Sequence, residues 1–300
     1  MRFTTIGLEL ALTLFLGTRP LDAQETQKPY KFTKGQILRC EVVGDLQISL
    51  RGSHPDFIKG GNETPLKMGY RALFENVVTE TGGSGETADL ERRVRTLSAT
   101  GELDSTPFKF EWDREKDGDK AVSTDARPGG MVDLFRSWCT RAWRFRVDAD
   151  GNFSSPEPDC DRLLMKAGMM TWPIKSGETA WLTEEKIAVP VLHDKVIMEF
   201  KNQLVRTDTG AGRKLLVIKA TPRLKKTEKA DPAIPGALPG EFEVTVGGDG
   251  AVEMDTTNRR LHVVKLRLTI RVAGKSPVAA GGEGDVRAEV VFVENQIYKD

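Results

Sequence analysis

The 300-residue chain carries 44 basic and 44 acidic side chains, so its formal net charge at pH 7 is zero. This balance argues against a nucleic-acid-binding protein, which would carry a basic stripe, and against strong attraction to an anionic membrane surface. With 39% hydrophobic residues, the chain can bury a large core in one big β domain or two smaller ones.

Residues 1–23 have the pattern of an export signal. Arg2 supplies a positive start, residues 6–17 form an apolar segment interrupted by Glu9, and Ala23 is a small residue suited to cleavage. The alternative is an uncleaved membrane anchor, but the apolar run is shorter than the ~20 residues of a spanning helix. We therefore predict an exported protein, periplasmic or extracellular, with no transmembrane segment after cleavage.

Residues 24–129 predict an N-terminal β meander. Residues 37–50 have the pattern of a strand pair or of one long bent strand, and residues 66–80 and 108–112 add further strands with apolar side chains on one face.

One stretch of this meander is ambiguous. Leu90, Val94 and Leu97 have the spacing of a helix face. Because the flanking segments have β patterns, we favour a strand.

Residues 130–171 change character and form a connecting segment. Met131, Leu134, Phe135 and Trp138 fall at i, i+3, i+4 and i+7, which predicts one face of an amphipathic helix.

A hairpin and a second helix follow in the same segment. Residues 143–147 have a strand pattern, and residues 149–152 carry the Asp-Gly signal of a hairpin turn. The second helix lies between Pro156 and Pro173, and its apolar side is formed by Leu163, Leu164, Ala167 and Met170.

Residues 172–300 predict a C-terminal β meander. Residues 178–191 and 195–207 are strands, and the continuous apolar run 215–218 is typical of a strand covered on both faces. Residues 223–240 are charged and proline-rich and predict an exposed loop.

The strongest pattern in the chain is the hairpin over residues 241–272. Apolar and polar side chains alternate without a break from residue 264 to 272, which predicts a strand with one face on a core. The glycines in residues 247–250 suggest a turn inside the hairpin. Residues 273–285 then predict a loop, and residues 286–293 a strand that closes the sheet.

The predicted fold is therefore mainly β: a long antiparallel sheet with two short helices. Residues 32–36 and 174–178 both place Lys and Gly just before a first long strand, so the two meanders are candidates for a pseudo-repeat. Two ordinary turns that enter strands would give the same pattern. In either case we expect the two halves to form one continuous domain.

Three cysteines lie after the signal segment. Cys139 and Cys160 flank a hairpin-like segment and are the natural candidates for a disulfide bond, which export permits. Three free buried thiols are the alternative, and Cys40 has the setting of a small buried hydrophobic residue.

Four short signatures give the chain a resemblance to uncharacterised exported proteins of bacterial envelopes, of the domain-of-unknown-function type. They are Arg93-Val94 with Gly101 and Leu103-Asp104-Ser105; Phe145-Arg146-Val147 with Asp150-Gly151; Trp172-Pro173-Ile174 with Gly177-Glu178-Thr179 and Trp181; and Gly250 with Met254-Asp255 and Leu261. The resemblance implies a long curved antiparallel sheet with helices on its concave side. This outline is similar to the half-barrels that carry lipoproteins and lipids across the periplasm.

No motif points to catalysis. His54, His193 and His262 are the only histidines, none lies in a local motif, and no Gly-x-Ser-x-Gly elbow occurs. Residues 148–152 copy the first ligands of a calcium loop but lack its later Gly and Glu. We therefore predict no catalytic residues, no metal and no cofactor.

Tryptophan and methionine side chains gather in and around the connecting segment. They form an adaptable apolar surface, which either packs as core or lines a cleft for an acyl chain. The candidate cleft residues are Trp138, Trp143, Met165, Met169, Trp172 and Trp181.

Three functions follow from these observations. The leading hypothesis is a non-enzymatic envelope protein that binds a lipid, lipoprotein or other apolar ligand on the concave face of its sheet. The second is a β-rich scaffold or interaction module that meets an envelope protein partner. The third is a hydrolase with an unrecognised site.

Overall fold

The computed structural model describes residues 28–55, 58, 62–118, 122–123, 131–155, 171–189, 192, 194–210, 212–229, 240–279 and 281–299. These residues contain thirteen strands: β1 (Ile37–Gly52), β2 (Asn62–Thr81), β3 (Ala88–Leu103), β4 (Thr106–Asp113), β5 (Val122–Ser123), β6 (Trp143–Val147), β7 (Phe153–Ser154), β8 (Ala180–Ala188), β9 (Asp194–Gly210), β10 (Arg213–Lys229), β11 (Glu241–Asp255), β12 (Arg260–Pro277) and β13 (Glu283–Lys299). The helices in this part of the chain are α1 (Arg114–Asp117) and α2 (Met131–Thr140). None of the described helices has both the length and the apolar character needed to cross a membrane.

The strands form one antiparallel sheet in the order β5-β4-β3-β2-β1-β13-β12-β11-β10-β9-β8. The short strand β6 pairs with the first part of β3, and β7 pairs with β6. The prediction of a mainly β fold with a long antiparallel sheet and two short helices is confirmed. The predicted helix before Pro173 lies outside the described residues.

One face of this sheet is buried and the other meets solvent. On β12, Leu266, Leu268, Ile270 and Val272 are buried, as their alternation predicts. The inward side chains of both halves of the chain belong to one hydrophobic cluster. The sheet therefore buries its apolar face largely against itself.

Strong curvature makes this possible. Strands β9 and β13 are four positions apart in the sheet, which would separate them by about 19 Å if the sheet were flat. Yet Phe200 of β9 and Phe292 of β13 line the same cavity. At the other end of the sheet, α2 places Phe135 against Phe108 and Phe110 of β4, with ring centroids 6.4 and 5.3 Å apart.

A β-bulge explains the ambiguous stretch in β3. The register between β2 and β3 shifts at Leu73/Phe74, opposite Val94 and Thr96. This shift moves the inward face of β3 from Leu90 and Val94 to Leu97 and Ala99, all of which are buried. A bulge adds one residue to one strand, so the apolar spacing imitates a helix although the strand is continuous.

The glycine run in the C-terminal hairpin is not a turn. Residues 247–250 lie inside β11 and pair with residues 266–269 of β12, and the connection between these strands is the turn at residues 256–259. Gly248 has φ +138°, and a Cβ built on it would lie 2.0 Å from the carbonyl oxygen of Arg267. Glycine here permits a close approach of two backbones rather than a reversal of the chain.

Three other expectations for the C-terminal half are wrong. Leu215 and Val217 are only half-buried, so the apolar run in β10 is not covered on both faces. The sheet also continues into both predicted loops, because β10 runs to Lys229 and β12 to Pro277. Finally, β13 lies in the middle of the sheet, between β1 and β12, rather than closing it.

Adjacent glycines of β11 provide a matched test of this close approach. We expect Gly248→Ala to lower the free energy of unfolding by about 2 kcal/mol or more, because alanine fits neither the positive φ nor the contact with Arg267. Gly247→Ala should change it by only a few tenths of a kcal/mol, because its Cβ would meet no atom within 4 Å. Urea unfolding followed by circular dichroism measures both. Equal losses of unfolding free energy in the two variants would contradict the close backbone contact at Gly248.

Candidate functional site

A small cavity lies on the inner face of the sheet, between β8–β9 and β12–β13. Its volume is about 30 Å³, room for one or two water molecules. The apolar walls include Met198 and Phe200 of β9, Leu266 and Leu268 of β12, and Phe292 of β13. The cavity thus joins strands that are distant in the sequence and in the order of the sheet.

Four polar side chains also line this cavity: Glu294 and Gln296 of β13, Glu185 of β8, and Thr171. Thr171 is buried, and its hydroxyl has no hydrogen-bond partner among the described residues. No lysine, arginine or histidine belongs to the described lining. The polar part of the described wall is therefore acidic or neutral.

Glu294 is fixed from two sides. The Tyr70 hydroxyl donates a hydrogen bond of 3.2 Å to Oε1, and Gln296 Nε2 donates one of 2.7 Å to Oε2. Tyr70 reaches Glu294 across β1 at Gly44, where a Cβ would lie 2.6 Å from the phenol ring. The absence of a side chain at residue 44 thus allows this buried hydrogen bond.

A second buried polar group lies nearby on β2 and β3. Arg92 donates a 3.0 Å hydrogen bond from Nε to Asn76 Oδ1, and its guanidinium lies 5.1 and 5.0 Å from the ring centroids of Phe74 and Phe145. Burial, and then the negative charge of Glu294, raise the pKa of Cys40 to about 12, with Arg92 opposing them. The Cys40 thiol is therefore protonated and unreactive, as expected of a small buried side chain.

Trp172 forms a wall of the cavity from a segment that is not part of the sheet. Its ring packs edge-on against Phe200 with centroids 5.2 Å apart, and its Nε1 donates a 3.0 Å hydrogen bond to Asn202 Oδ1. The Tyr30 hydroxyl accepts from the Trp172 backbone N–H at 2.7 Å and donates to the Trp172 carbonyl at 2.6 Å. Burial raises the pKa of Tyr30, which keeps this hydroxyl protonated and able to donate.

The turn between β11 and β12 holds Tyr30 in place. Arg259 of this turn donates hydrogen bonds to the carbonyl oxygens of Lys28 and Tyr30, at 2.6 and 2.9 Å. Asp255 shapes the turn by accepting from Thr257 N at 2.9 Å and Asn258 N at 3.0 Å. A chain of contacts therefore runs from this turn through Tyr30 to the cavity wall.

The predicted cleft residues fall into two groups. Trp172 lines the cavity, and Trp181 lies close to it, donating a 2.9 Å hydrogen bond to the carbonyl of Pro173. Trp138 packs on Phe135 of α2 instead. The guanidinium of Arg141 lies over the ring of Trp143 on β6, with the guanidinium carbon 4.2 Å from the ring centroid. Met165 and Met169 lie outside the described residues, so ligand binding by the full set stays a prediction.

The other predicted site residues take structural places or are not described. Cys139 is buried and forms no disulfide bond with another described residue. Cys160 lies outside the described residues, so the bond between these two cysteines stays a prediction. His54 is buried, with Nε2 2.9 Å from the carbonyl oxygen of Pro277. Across the described ranges, no group of three or more His, Cys, Asp or Glu side chains could hold a metal ion.

Sequence reasoning missed the polar side chains of the inner face. Glu294 and Gln296 continue the inward series of Val290 and Phe292, and Arg92 interrupts the inward series between Leu90 and Val94. A charged residue at an inward position of an alternating strand would have indicated these buried polar groups.

The opposite face of the sheet carries an apolar patch at its centre. Val43 of β1 and Val293 and Ile297 of β13 are 45, 38 and 41% exposed. Asp45 pairs with Val293 and Glu41 with Ile297, so Val43 lies diagonally between the two. We term these three residues the outer patch. A groove of about 490 Å³ lies beside it, lined by Asp45, Lys67, Glu102 and Val293 among others.

The comparisons with known proteins include distant structural likenesses. No protein-family model matches the chain, and no curated protein matches it. A solved structure titled "Lipid-protein interactions in lipovitellin" aligns with 90% of this chain and 26% of its own, at 10% identity and TM-score 0.43. OmpT, an outer membrane protein of Vibrio cholerae, aligns with 89% of this chain and all of its own, at 9% identity and TM-score 0.13. The chain thus spans about a quarter of the lipovitellin chain.

The pH dependence of stability tests the turn that holds Tyr30. Burial alone would raise the pKa of Asp255, but the hydrogen bonds from Asn258 and Thr257 outweigh it and hold the pKa below its usual range. The resulting stabilisation is present above the unfolded pKa of about 3.9 and is lost as the pH falls through the folded value.

We expect Asp255→Asn to lower the free energy of unfolding at pH 7 by about 1–2 kcal/mol, and the difference from wild type to shrink below about pH 4. Asp249→Asn, an exposed site on the same strand, is the control and should stay within a few tenths of a kcal/mol. Urea titrations at pH 3, 4, 5 and 7 measure the effect. A difference that is constant with pH would contradict it.

Proposed function

We propose that this is an exported envelope protein that binds a lipid or another apolar ligand on the inner face of its curved sheet. The observation that carries the proposal is the cavity between β8–β9 and β12–β13, whose walls are mostly apolar. Concave, mainly apolar sites with a few polar groups are the usual form of small-molecule sites. The export pattern of residues 1–23 and the resemblance to envelope proteins support the location.

The size of the cavity defines how a ligand would enter. A volume of about 30 Å³ is too small for an acyl chain, so the walls must part. Trp172 is the wall best suited to move, because side-chain hydrogen bonds to Tyr30 and Asn202 hold it, rather than strand pairing. Each buried methylene contributes about 0.8 kcal/mol, so a ten-carbon chain gains about 8 kcal/mol toward displacing it.

Neighbouring valines of β12 supply a matched test. Val264 lines the cavity, whereas Val263 is half-buried on the other side of the strand. We expect the purified protein to bind the neutral apolar probe N-phenyl-1-naphthylamine with an increase in fluorescence. Val264→Phe should fill the cavity and weaken binding at least about tenfold, which corresponds to about 1.4 kcal/mol, while Val263→Phe leaves it unchanged.

Native mass spectrometry of the protein purified from an envelope fraction is an independent test for a bound ligand. We expect an added mass that disappears on extraction with organic solvent. The proposal would be refuted by two combinations of results. In the first, there is no added mass and the wild-type protein does not bind the probe. In the second, there is no added mass and the two valine variants bind the probe equally well.

A second candidate function is docking of an envelope protein on the outer patch. Val43, Val293 and Ile297 are large apolar side chains that lie exposed together at the centre of the sheet, and such patches mark interaction sites.

Photo-crosslinking tests the second candidate. A photoreactive amino acid at residue 43 should give one discrete crosslinked product in cells, and Val293→Asp should abolish it. The same group at Lys201, exposed on β9 and four positions from β13 in the sheet, is the control and should give none. Identical products from both positions would argue against a docking site.

A further inference from the structure

We propose that the apolar ligand reaches the inner cavity through the sheet itself, by passing between β10 and β11. This inference rests on the proposed function and adds the route of entry and the side chains that the ligand meets on its way. Displacement of Trp172 would give the ligand room inside the cavity, and the gap between these two strands would give it access. The inference is carried by how far the two strands are paired.

β10 and β11 are hydrogen-bonded to each other along only part of their length. Their ladder runs from Leu215, opposite Asp255, to Ala220, opposite Gly250. Beyond this point, residues 221–229 of β10 pair with β9 and residues 241–249 of β11 pair with β12, but the described ladder between β10 and β11 has ended. We term these two adjacent stretches the seam.

The sequence explains why the ladder ends at the seam. Pro222 has no backbone N–H and can donate to neither neighbouring strand, and proline is typical of strand edges. Continued register would place Pro222 opposite Gly248. Gly248 has φ +138° and approaches β12 so closely that a Cβ would lie 2.0 Å from the carbonyl oxygen of Arg267. One strand therefore lacks a donor at the point where the other is drawn toward its second neighbour.

The inner face of the sheet is more accessible at the seam than before it. Inward side chains of the paired part, such as Ile218 and Val252, are completely buried. Gly248 also occupies an inward position, because it pairs with buried Leu268, yet it is exposed. Three apolar side chains of the seam pack against the core but are only half-buried: Leu224, Phe242 and Val246. An apolar molecule that approaches here therefore meets apolar side chains of the inner face.

The seam begins at the level of the cavity. Pro222 is the register partner of Phe200 in β9, and Gly248 is the register partner of Leu268 in β12. Phe200 and Leu268 both line the cavity. Since neighbouring strands lie ~4.8 Å apart, each side of the seam is one strand away from a cavity wall. A ligand that passes between β10 and β11 thus arrives at the cavity directly.

The strands on the other side of the cavity are harder to part. β12 and β13 pair without a register shift from Val263, opposite Ile297, to Pro277, opposite Glu283. Parting them would leave backbone N–H and C=O groups without partners, which is unfavourable in a buried setting. At the seam, no described ladder joins β10 to β11, so its parting carries less of this cost.

A removable cross-link across the seam tests the route. Arg223 and Gly247 would face each other if the register continued, and a Cβ on Gly247 would meet no atom within 4 Å. In a Cys160→Ser background, we expect oxidised Arg223→Cys/Gly247→Cys to take up N-phenyl-1-naphthylamine at least about tenfold more slowly than its reduced form, because entry is gated. Stopped-flow fluorescence measures the rate. The affinity at equilibrium should change little, because a closed route slows release as much as uptake.

A second cysteine pair controls for the cross-link itself. Arg271 and Glu289 are register partners on the outer faces of β12 and β13, where the ladder is complete. Like Arg223, Arg271 forms an ion pair with a glutamate on a neighbouring strand. Oxidised Arg271→Cys/Glu289→Cys should take up the probe at the rate of its reduced form. Thiol titration confirms that each disulfide bond has formed.

Neighbouring residues of β11 decide the question if no disulfide bond forms across the seam. Val246→Trp adds bulk on the inner side of the seam, whereas Thr245→Trp adds it on the exposed side of the same strand. We expect Val246→Trp to slow uptake of the probe by about threefold or more, and Thr245→Trp to leave the rate unchanged. Circular dichroism confirms folding, and Leu224→Trp replaces Val246→Trp if that variant does not fold.

The outcomes separate this inference from the proposed function. Equal uptake rates in the oxidised and reduced seam protein would overturn the route and leave apolar binding intact. Equal slowing by the control cross-link, or equal rates in the two tryptophan variants when no disulfide bond forms, would overturn it as well. A wild-type protein that does not bind the probe at equilibrium would overturn both the route and the proposed function.

Discussion

The structure depends on one constraint: a single sheet with one apolar face has little else to bury that face against. The described helices are short, and the inward side chains from both ends of the sheet belong to one cluster. The sheet must therefore bend until its own strands face each other. The bulge in β3 and the close backbone contact at Gly248 are local means to that end, because bulges and glycines increase bending and allow close approach.

The same constraint explains the polar interior. Once a sheet encloses its own inner face, polar groups there lose contact with water and must find partners on other strands. Tyr70 pairs with Glu294 across Gly44, Arg92 with Asn76, and Trp172 with Asn202. The Tyr70–Glu294 bond joins residues 224 positions apart in the chain, so it helps to fix how the curved sheet closes over the cavity.

The sequence predicted local structure well and the site poorly, for physical reasons. Alternation over residues 264–272 identified β12 and its buried face, because side-chain period is a local property. The bulge at Leu73/Phe74 disguised β3, because an extra residue breaks that period. Residues 247–250 were misassigned because glycine serves both turns and close backbone contacts. The cavity combines Thr171, Glu185 and Glu294, and no local pattern reveals which strands meet.

The pairing of β1 with β13 has a consequence for how the protein is made. Arg39 lies opposite Lys299, so the central seam of the sheet joins two strands about 260 positions apart in the chain. During synthesis from the N-terminus, the edge of β1 that pairs with β13 stays unpaired until β13 has been made. Contacts of such long range form slowly, and an unpaired strand edge invites association with other chains. The newly made polypeptide therefore passes through a vulnerable interval, in which protection by a chaperone would matter more than for a fold built from local hairpins.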